Sequence, residues 1–278
     1  FATFMAFLIM IWSQKILNPS ETPPFLLEER EQVDEKIRLT YRFLELRHPI
    51  LQRNLMQRSQ AMQLVRSYFT AEKFFEVETP ILTKSTPEGA RDYLVPSRVS
   101  PGQFYALPQS PQLFKQLLMI SGYDRYIQIA RCFRDEDLRG NRQPEFTQID
   151  LELSFTSPEE IYRLVEGLMV HLFGELLQME VSIPFPRMTY QEAMDQYGSD
   201  APDTRFELKL VDLSDIASEC GLRVFSEVVK GGGMVKAIRV PGGADLSRKA
   251  LDDLTEFTAI YGAKGMAWIK RNAEGWQS

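Results

Sequence analysis

Charged side chains of both signs are concentrated in the middle of the chain. Arg134 and Glu136 lie on one strand-like segment, and Gln148, Asp150 and Glu152 alternate along another. Arginine suits a phosphate ligand, because its planar guanidinium can donate to two oxygens at once. A polar strand face backed by an apolar face is also typical of a plain exposed sheet. The pattern alone therefore leaves a phosphate site and an exposed surface as alternatives.

Two segments are predicted to position these charges as an antiparallel hairpin. Residues 146–155 alternate strictly between apolar and polar, which indicates a strand with one apolar face, and residues 126–134 are also strand-like. The polar connection at 137–145 carries Arg139 and Arg142. A basic loop beside a polar strand face favours a polyanionic ligand.

Two further polar segments precede the hairpin. Residues 86–93 form a glycine-containing loop with three charges, which is typical of an ordinary surface turn. Ser110 and Pro111 are predicted to open a helix, with the serine as N-cap and the proline at the first helical position. Gln112 and Lys115 would then lie on one side of the helix start. Taken alone, this placement is a weak signal.

The elements around these segments are helices and strands without a regular βαβ repeat. Apolar residues recur at helical spacing over 51–70, and 75–82 is predicted to be a strand that Pro80 interrupts. A capping box at 157–160 predicts the start of a second amphipathic helix. This order of elements predicts an α+β fold.

Composition divides the chain into four stretches. Residues 1–17 form an atypical apolar N-terminus, 18–40 a linker, 41–199 a first domain and 200–278 an incomplete second domain. The apolar start is too short to span a bilayer and lacks a basic region, so a foreign or damaged end is favoured over an N-terminal anchor. The glycine clusters of the last stretch lack dinucleotide-binding or P-loop spacing, so they are predicted to be turns.

Bulk composition narrows the classes of function. The 278 residues carry a net charge of −6, so any nucleic-acid contact would need a local basic patch. Two distant cysteines and two histidines argue against a disulfide framework and a zinc site, and they fit a reducing cytoplasm. We therefore expect a cytoplasmic protein with no membrane association and no metal site within this chain.

Several strings of this sequence resemble class II aminoacyl-tRNA synthetases, in particular the bacterial-type aspartyl-tRNA synthetase. Phe133-Arg134-Asp135-Glu136 is similar to motif 2, and 75–82 with its preceding helix is similar to motif 1. The flanking strings that match the aspartyl pattern are 86–93, 104–108, 109–115, 132–139 and 142–148. The resemblance implies a class II antiparallel sheet with flanking helices, followed by the start of the bacterial-type insertion domain.

The resemblance also implies an activity: ATP-dependent formation of aspartyl-adenylate, then transfer of aspartate to tRNA. Arg134 would be catalytic and grip the α-phosphate, and Asp135, Glu136 and Gln143 would bind ATP. The residues implied in aspartate binding are Glu88, Ser110, Gln112, Lys115, Arg134 and Asp150. Lys115 would face the substrate side chain, and Asp150 and Glu88 the α-ammonium group. The residues implied in contact with the tRNA acceptor end are Arg139 and Arg142.

Comparison with the family pattern further implies that this chain is a fragment. The anticodon-binding barrel and the third motif would lie outside it, together with the ligands of the Mg²⁺ that accompanies ATP, so the chain alone would be inactive. A homodimer through about residues 51–82 is implied as well. The alternatives are a non-catalytic dimerising or regulatory paralogue, and a paralogue that activates aspartate or asparagine for another acceptor.

Overall fold

The computed structural model divides into two compact units between Phe185 and Pro186. The residues that it describes are 18, 21–86, 88–137, 140, 142–273 and 275–278. The division precedes the predicted boundary at 199–200, and the domain assignment itself stays a prediction. The apolar N-terminus at 1–17 and the side chain of Arg139 lie outside the described residues.

The predicted linker contains helical turns. A 3-10 helix spans Leu27–Gln32, followed by α1 (Glu35–Thr40) and α2 (Arg42–Glu45). Asp34 caps α1, because its carboxylate accepts a backbone N–H of the first turn at 2.8 Å. Phe25 is buried, so this stretch packs as folded chain.

A buried carboxylate organises these short helices. Glu45 is 1% exposed, and its two oxygens meet the guanidinium groups of Arg30 and Arg38, both at 3.0 Å, and of Arg42. Burial by itself would raise the pKa of Glu45, but the hydrogen bonds from Arg42 and Arg38 outweigh it and lower that pKa below its ordinary value. The carboxylate therefore stays charged in the folded chain.

Five strands and three longer helices complete the first unit. The strands are β1 (Phe75–Glu76), β2 (Leu94–Pro96), β3 (Phe104–Ala106), β4 (Arg125–Phe133) and β5 (Glu145–Leu153). The helices are α3 (Pro49–Ala71), α4 (Gln112–Ile120) and α5 (Pro158–Leu177). Among the described residues, one sheet has the order β1-β4-β5, with β1 parallel and β5 antiparallel to β4, and β2 and β3 form a separate antiparallel pair.

The predicted hairpin is confirmed, but its ends are corrected. Arg134 and Glu136 lie beyond β4, which ends at Phe133. The N–H of Arg134 donates to the carbonyl of Pro144 at 2.9 Å, and a proline has no N–H to return the bond, so the ladder stops there. At the other end β5 stops before residue 155, because Phe155 adopts a left-handed conformation with φ 52°.

Two other predicted elements are also corrected. The strand predicted over 75–82 is confirmed only for Phe75–Glu76; the N–H of Val77 donates once more, to the carbonyl of Ile127 at 3.2 Å. The capping box at the start of α5 is half formed: Ser157 accepts the N–H of Glu160 at 3.4 Å. The Glu160 carboxylate instead pairs with Arg125 at 2.6 Å, because that guanidinium is the stronger partner.

The apolar face of the hairpin packs against α3 and α5. The buried cluster is Val65, Phe69, Phe74, Ile127, Leu164 and Leu168. The two helices approach closely at Gly167, where an added Cβ would lie 2.3 Å from the hydroxyl of Tyr68. That hydroxyl donates to the carbonyl of Leu164 at 2.9 Å, which fixes its position. This packing supports the opposite, polar face of the sheet.

The second unit is built from short elements. Its helices are α6 (Tyr190–Tyr197), α7 (Ser214–Glu219), α8 (Arg223–Lys230) and α9 (Arg248–Ile260). Its strands are β6 (Leu210–Asp212), β7 (Lys236–Ile238), β8 (Lys270–Asn272) and β9 (Gly275–Gln277), paired β6 with β7 and β8 with β9. Over the described parts of both units, we find no helix whose length and apolar character would let it cross a bilayer.

Candidate active site

The polar face of the hairpin forms the floor of the candidate site. Gln128 on β4 lies opposite Asp150 on β5, and both point away from the apolar core. Asp150 is 5% exposed, and Tyr126 and Cys132 on the same face are fully buried, whereas Ile149 on the other face is exposed. An exposed polar surface is therefore the wrong interpretation of this strand, and the alternative of a covered site is favoured.

Helix α4 places one cation on this floor. Lys115 is 8% exposed, and its ammonium lies 2.9 Å from Asp150 Oδ1 and 3.3 Å from Glu152 Oε2. Burial by itself would lower the pKa of Lys115, but the hydrogen bonds and charges of the two carboxylates outweigh it and raise that pKa. The ammonium is therefore charged, and the cluster carries one excess negative charge.

One oxygen of Asp150 is left without a partner. Its Oδ2 is buried and has no donor in hydrogen-bonding geometry among the described residues, because the neighbouring Tyr126 hydroxyl donates its one hydrogen to Gln128. A buried carboxylate oxygen without a donor is destabilising, so such groups are rare in folded proteins unless a ligand or water supplies the bond. The site thus offers a negatively charged acceptor beside a positively charged donor, which is the complement of an amino acid with an acidic side chain.

The loop at 86–93 brings a second carboxylate, Glu88. Its Oε2 accepts the hydroxyl of Ser110 at 2.8 Å and its Oε1 accepts the hydroxyl of Thr86 at 3.2 Å. The predicted N-cap role of Ser110 is wrong: α4 begins one residue later, with Pro111 in the cap position, because the Ser110 hydroxyl is bonded to Glu88. Gln112 is the first residue of α4 and is half-buried.

The same loop is tied down by two residues that the sequence analysis did not select. Gln109 is buried; its Oε1 accepts the N–H of Ala90 and its Nε2 donates to the carbonyl of Ala90, both at 2.9 Å. Its Nε2 also donates to the carboxylate of Asp92. That carboxylate further accepts the hydroxyl of Ser85 at 2.6 Å and the N–H of Thr86 at 3.3 Å.

A cleft of about 430 Å³ lies beside this loop. Its lining residues are Gly89, Ala90, Arg91, Asp135, Glu136, Asp137 and Arg142. The N–H of Asp135 donates to the carbonyl of Arg91 at 3.0 Å, which joins the loop to the end of β4. The half-buried guanidinium of Arg134 lies over the ring of Phe146, 5.0 Å from its centroid. Gln143 is exposed and, like Arg134, lies outside the lining set.

Tyr126, Gln128 and Cys132 also lie on the floor of the site, but they were not selected from the sequence. The alternation of residues along β4 could have identified them. The hydroxyl of Tyr126 donates to Gln128 Oε1 at 2.8 Å, and the thiol of Cys132 contacts Gln148 Oε1 at 3.4 Å. Burial, with the charge of Asp150, raises the pKa of Tyr126 and raises the pKa of Cys132 to about 11. Both groups stay neutral at physiological pH, so Asp150 and Glu152 are the charged partners of the Lys115 ammonium.

Within the described ranges, no set of three or more His, Cys, Asp or Glu side chains is arranged to hold a metal ion. The charged groups of the candidate site are Lys115, Asp150, Glu152 and Glu88, with the charged residues that line the cleft. Their chemistry is that of a charged amino-acid pocket beside a mixed-charge cleft.

The chain belongs to the class II tRNA synthetases for D, K and N, since residues 34–271 match that family. Over 263 residues it is 58% identical to an aspartate–tRNA(Asp/Asn) ligase of Desulfosudis oleivorans, covering 95% of this chain and 44% of the relative. It is also 58% identical, over 262 residues, to an aspartate–tRNA ligase of Exiguobacterium sibiricum, covering 94% of this chain and 45% of the relative. The chain thus spans less than half the length of these relatives.

The fold agrees with a solved member of the family. An asparaginyl-tRNA synthetase from Pyrococcus horikoshii, solved with asparaginyl-adenylate, matches 59% of this chain and 37% of its own, with a TM-score of 0.53 and 23% identity. This likeness concerns the fold alone. It confirms the predicted α+β architecture of the class II type.

Proposed function

We propose that this chain is the part of an aspartate–tRNA ligase that binds aspartate and ATP. The observation that carries the proposal is the buried ammonium of Lys115, held beside Asp150 with one oxygen of that carboxylate unpaired. The identity to relatives named as aspartate–tRNA ligases supports the same reaction. In that reaction aspartate is activated by ATP to aspartyl-adenylate and then transferred to tRNA.

Charge balance describes how aspartate would bind. The cluster of Lys115, Asp150 and Glu152 has one excess negative charge, so a third carboxylate enters only if a positive charge comes with it. The substrate α-ammonium provides that charge and donates to Asp150 Oδ2, while its side-chain carboxylate accepts from Lys115. Asparagine offers Lys115 a neutral amide, so its binding should be weaker.

Three groups from the loop and the start of α4 would complete the amino-acid pocket. Glu88 would share the α-ammonium with Asp150, and Ser110 already aims the Glu88 carboxylate through its 2.8 Å hydrogen bond. Gln112, at the N-terminal end of the helix that carries Lys115, would donate to the substrate from the same side. These roles place the aspartate between α4 and the floor of the sheet.

ATP would lie toward the end of the hairpin. Arg134 would hold the α-phosphate, with Asp135 and Glu136 in the adjoining cleft on the nucleotide and Gln143 at its rim. The substrate α-carboxylate attacks the α-phosphorus, a new O–P bond forms, and the bond to pyrophosphate breaks. Arg134 stabilises the negative charge that develops on the phosphoryl oxygens. Mg²⁺ would enter as the counter-ion of the ATP polyphosphate, and no step here depends on a protein ligand to it.

The proposed macromolecular partners are tRNA and a second copy of the chain. Arg142 would meet the tRNA acceptor end with Arg139, and a local contact of this kind is compatible with the net charge of −6. The predicted dimer region at about 51–82 exposes apolar side chains, including Leu55, Met56 and Ile81, which favours burial against another copy. We further propose that the protein acts in the cytoplasm.

The test is ATP–pyrophosphate exchange with aspartate, asparagine or no amino acid. Lys115→Met is compared with Lys249→Met, which replaces an exposed lysine. Each change is made in this chain and, in parallel, at the corresponding lysine of a full-length relative. We expect aspartate-dependent exchange in the full-length relative, lost by the first substitution and kept by the second. Unchanged aspartate activation after the Lys115 substitution would refute the proposed role of this site.

A further inference from the structure

The loop that carries Glu88 is fastened by side chains that face the loop and not the pocket. Both ends of the Gln109 side-chain amide are hydrogen-bonded to the loop. Its oxygen accepts the N–H of Ala90, and its nitrogen donates to the carbonyl of Ala90 and to the carboxylate of Asp92. Asp92 accepts from Ser85 and so closes the two ends of the loop on each other. A single buried amide therefore joins the loop backbone to the start of α4.

The loop has little else to hold it. The described residues of the loop, 85–86 and 88–92, belong to no helix and no named strand, and Lys84 and Arg91 are exposed at the loop ends. Beyond the Gln109 and Asp92 bonds, the structure gives the loop the bridge from Arg91 to Asp135 and the hydrogen bonds of Thr86 and Ser110 to Glu88. Segments with few buried apolar contacts open at low free energy, so individual polar ties decide their position.

We propose that Gln109 and Asp92 are positioning residues that latch this loop over the aspartate pocket, an inference that rests on the proposed function. Gln109 fixes the loop backbone at Ala90, and its neighbour Ser110 directs the carboxylate of Glu88. Neither Gln109 nor Asp92 touches the substrate. Their effect is to hold Glu88 where the α-ammonium arrives, so that binding does not have to order the loop first.

Two substitutions break the latch from opposite sides. Gln109→Glu replaces two donating N–H groups by an oxygen that faces the carbonyl of Ala90 and the carboxylate of Asp92. Asp92→Asn removes one of two acceptor positions, because both oxygens of that carboxylate accept hydrogen bonds. Gln116→Glu makes the same chemical change as the first variant on an exposed position of α4 and is the matched control.

Limited trypsin digestion measures latching without any need for activity, because Lys84 and Arg91 are cleavage sites within the loop. We expect cleavage after both to become at least about tenfold faster in the two latch variants and to stay unchanged in the control, at a temperature well below the thermal unfolding midpoint of every variant. A non-hydrolysable sulfamoyl analogue of aspartyl-adenylate is then titrated. Its affinity should fall about tenfold in the latch variants only.

The outcomes separate the latch from the proposed function. Unchanged cleavage in both latch variants overturns the latch, whatever the analogue does. Faster cleavage with unchanged affinity overturns the positioning role. If the unsubstituted chain and a full-length relative both fail to bind the analogue, the proposed function fails, and the positioning role fails with it.

Discussion

At the scale of single residues, Asp150 has two carboxylate oxygens, and among the described residues only one of them has a hydrogen-bond partner. Its Oδ1 is bonded to Lys115, and its Oδ2 is buried without a donor from the described residues. We expect Asp150→Asn to weaken binding of the aspartyl-adenylate analogue by roughly tenfold to a hundredfold, because a charge-assisted hydrogen bond to the α-ammonium is lost. Equilibrium titration of the analogue measures this change.

The control for that substitution is Asp124→Asn, which makes the same change at an exposed aspartate of the same unit. It should leave the affinity unaltered. Equal affinities of the Asp150 variant and the unsubstituted chain would contradict the assignment of Oδ2 to the α-ammonium.

The buried carboxylate of Glu45 gives a second residue-scale prediction, which concerns stability. Its pKa is lowered in the fold by hydrogen bonds that outweigh burial, so its stabilisation is present above the unfolded pKa, near 4.5, and is lost as pH falls through the lower folded pKa. We expect Glu45→Gln to lower the free energy of unfolding by about 1–2 kcal/mol at neutral pH, a value reduced by the partial exposure of the arginines.

Chemical denaturation at a series of pH values measures this difference. The gap between the variant and the unsubstituted chain should be constant from neutral pH down to about 5 and should shrink below 4.5. A gap that grows on acidification would show that the carboxylate is not stabilised in its charged form.

Site residues were predictable from the sequence mainly through the family resemblance, because residue type and spacing alone left a surface turn and an exposed sheet as alternatives. Lys115, Asp150 and Glu88 were selected with the correct local elements, and the structure brings Lys115 and Asp150 together. Gln109 and Asp92 were missed, because an amide bonded to backbone has no distinctive spacing in sequence. Whether the selected residues bind aspartate and ATP stays a prediction.

At the scale of elements, the contact between α3 and α5 depends on the absence of a side chain at Gly167. An alanine there would place its Cβ 2.3 Å from the Tyr68 hydroxyl, which is itself bonded to Leu164. We expect Gly167→Ala to destabilise the chain by about 1–3 kcal/mol, the range typical of overpacking, in spite of the better helix propensity of alanine. Thermal and chemical denaturation measure the effect.

The same helix supplies the control. Gly174 in α5 has open space where a Cβ would lie, so Gly174→Ala should stabilise the chain by roughly 0.5–1 kcal/mol. Adding Tyr68→Phe to Gly167→Ala removes the closest atom and should recover part of the loss. No recovery in the double variant would place the strain elsewhere.

Helices and strands were predictable where the hydrophobic periodicity extends over many residues. The helix predicted at 51–70 and the hairpin were confirmed, because their patterns run over several turns or several residue pairs. Three of the corrections arise where a side chain found a tertiary partner or a proline ended a ladder: Ser110 bonds Glu88, Glu160 pairs with Arg125, and Pro144 ends β4. Such partners are distant in sequence, so local pattern could not reveal them.

At the scale of the whole molecule, the tRNA contact proposed for this acidic chain should involve few phosphate groups. Each contact contributes about −0.7 to −0.9 to the slope of log affinity against log salt concentration, so we expect a slope of magnitude below about 4. Arg142→Gln should reduce the magnitude of the slope by about 0.7 to 0.9, which is the contribution of one phosphate contact. Filter binding over a series of salt concentrations measures the slope.

Arg205→Gln is the matched control, since Arg205 is an exposed arginine already paired with Asp203. It should leave the slope unchanged. If the two substitutions have equal effects on the slope, tRNA binding would follow from general charge and not from a contact at Arg142.

The two cysteines differ in exposure, so chemical labelling of the thiols can report whether the pocket is open. Cys132 is fully buried in the floor of the pocket with a pKa of about 11, whereas Cys220 is partly exposed. Thiolate is the reactive form, so a maleimide at neutral pH should label Cys220 first and reach Cys132 only when the pocket opens. The stoichiometry of labelling would then count open pockets in any variant, with no substrate, nucleotide or tRNA present.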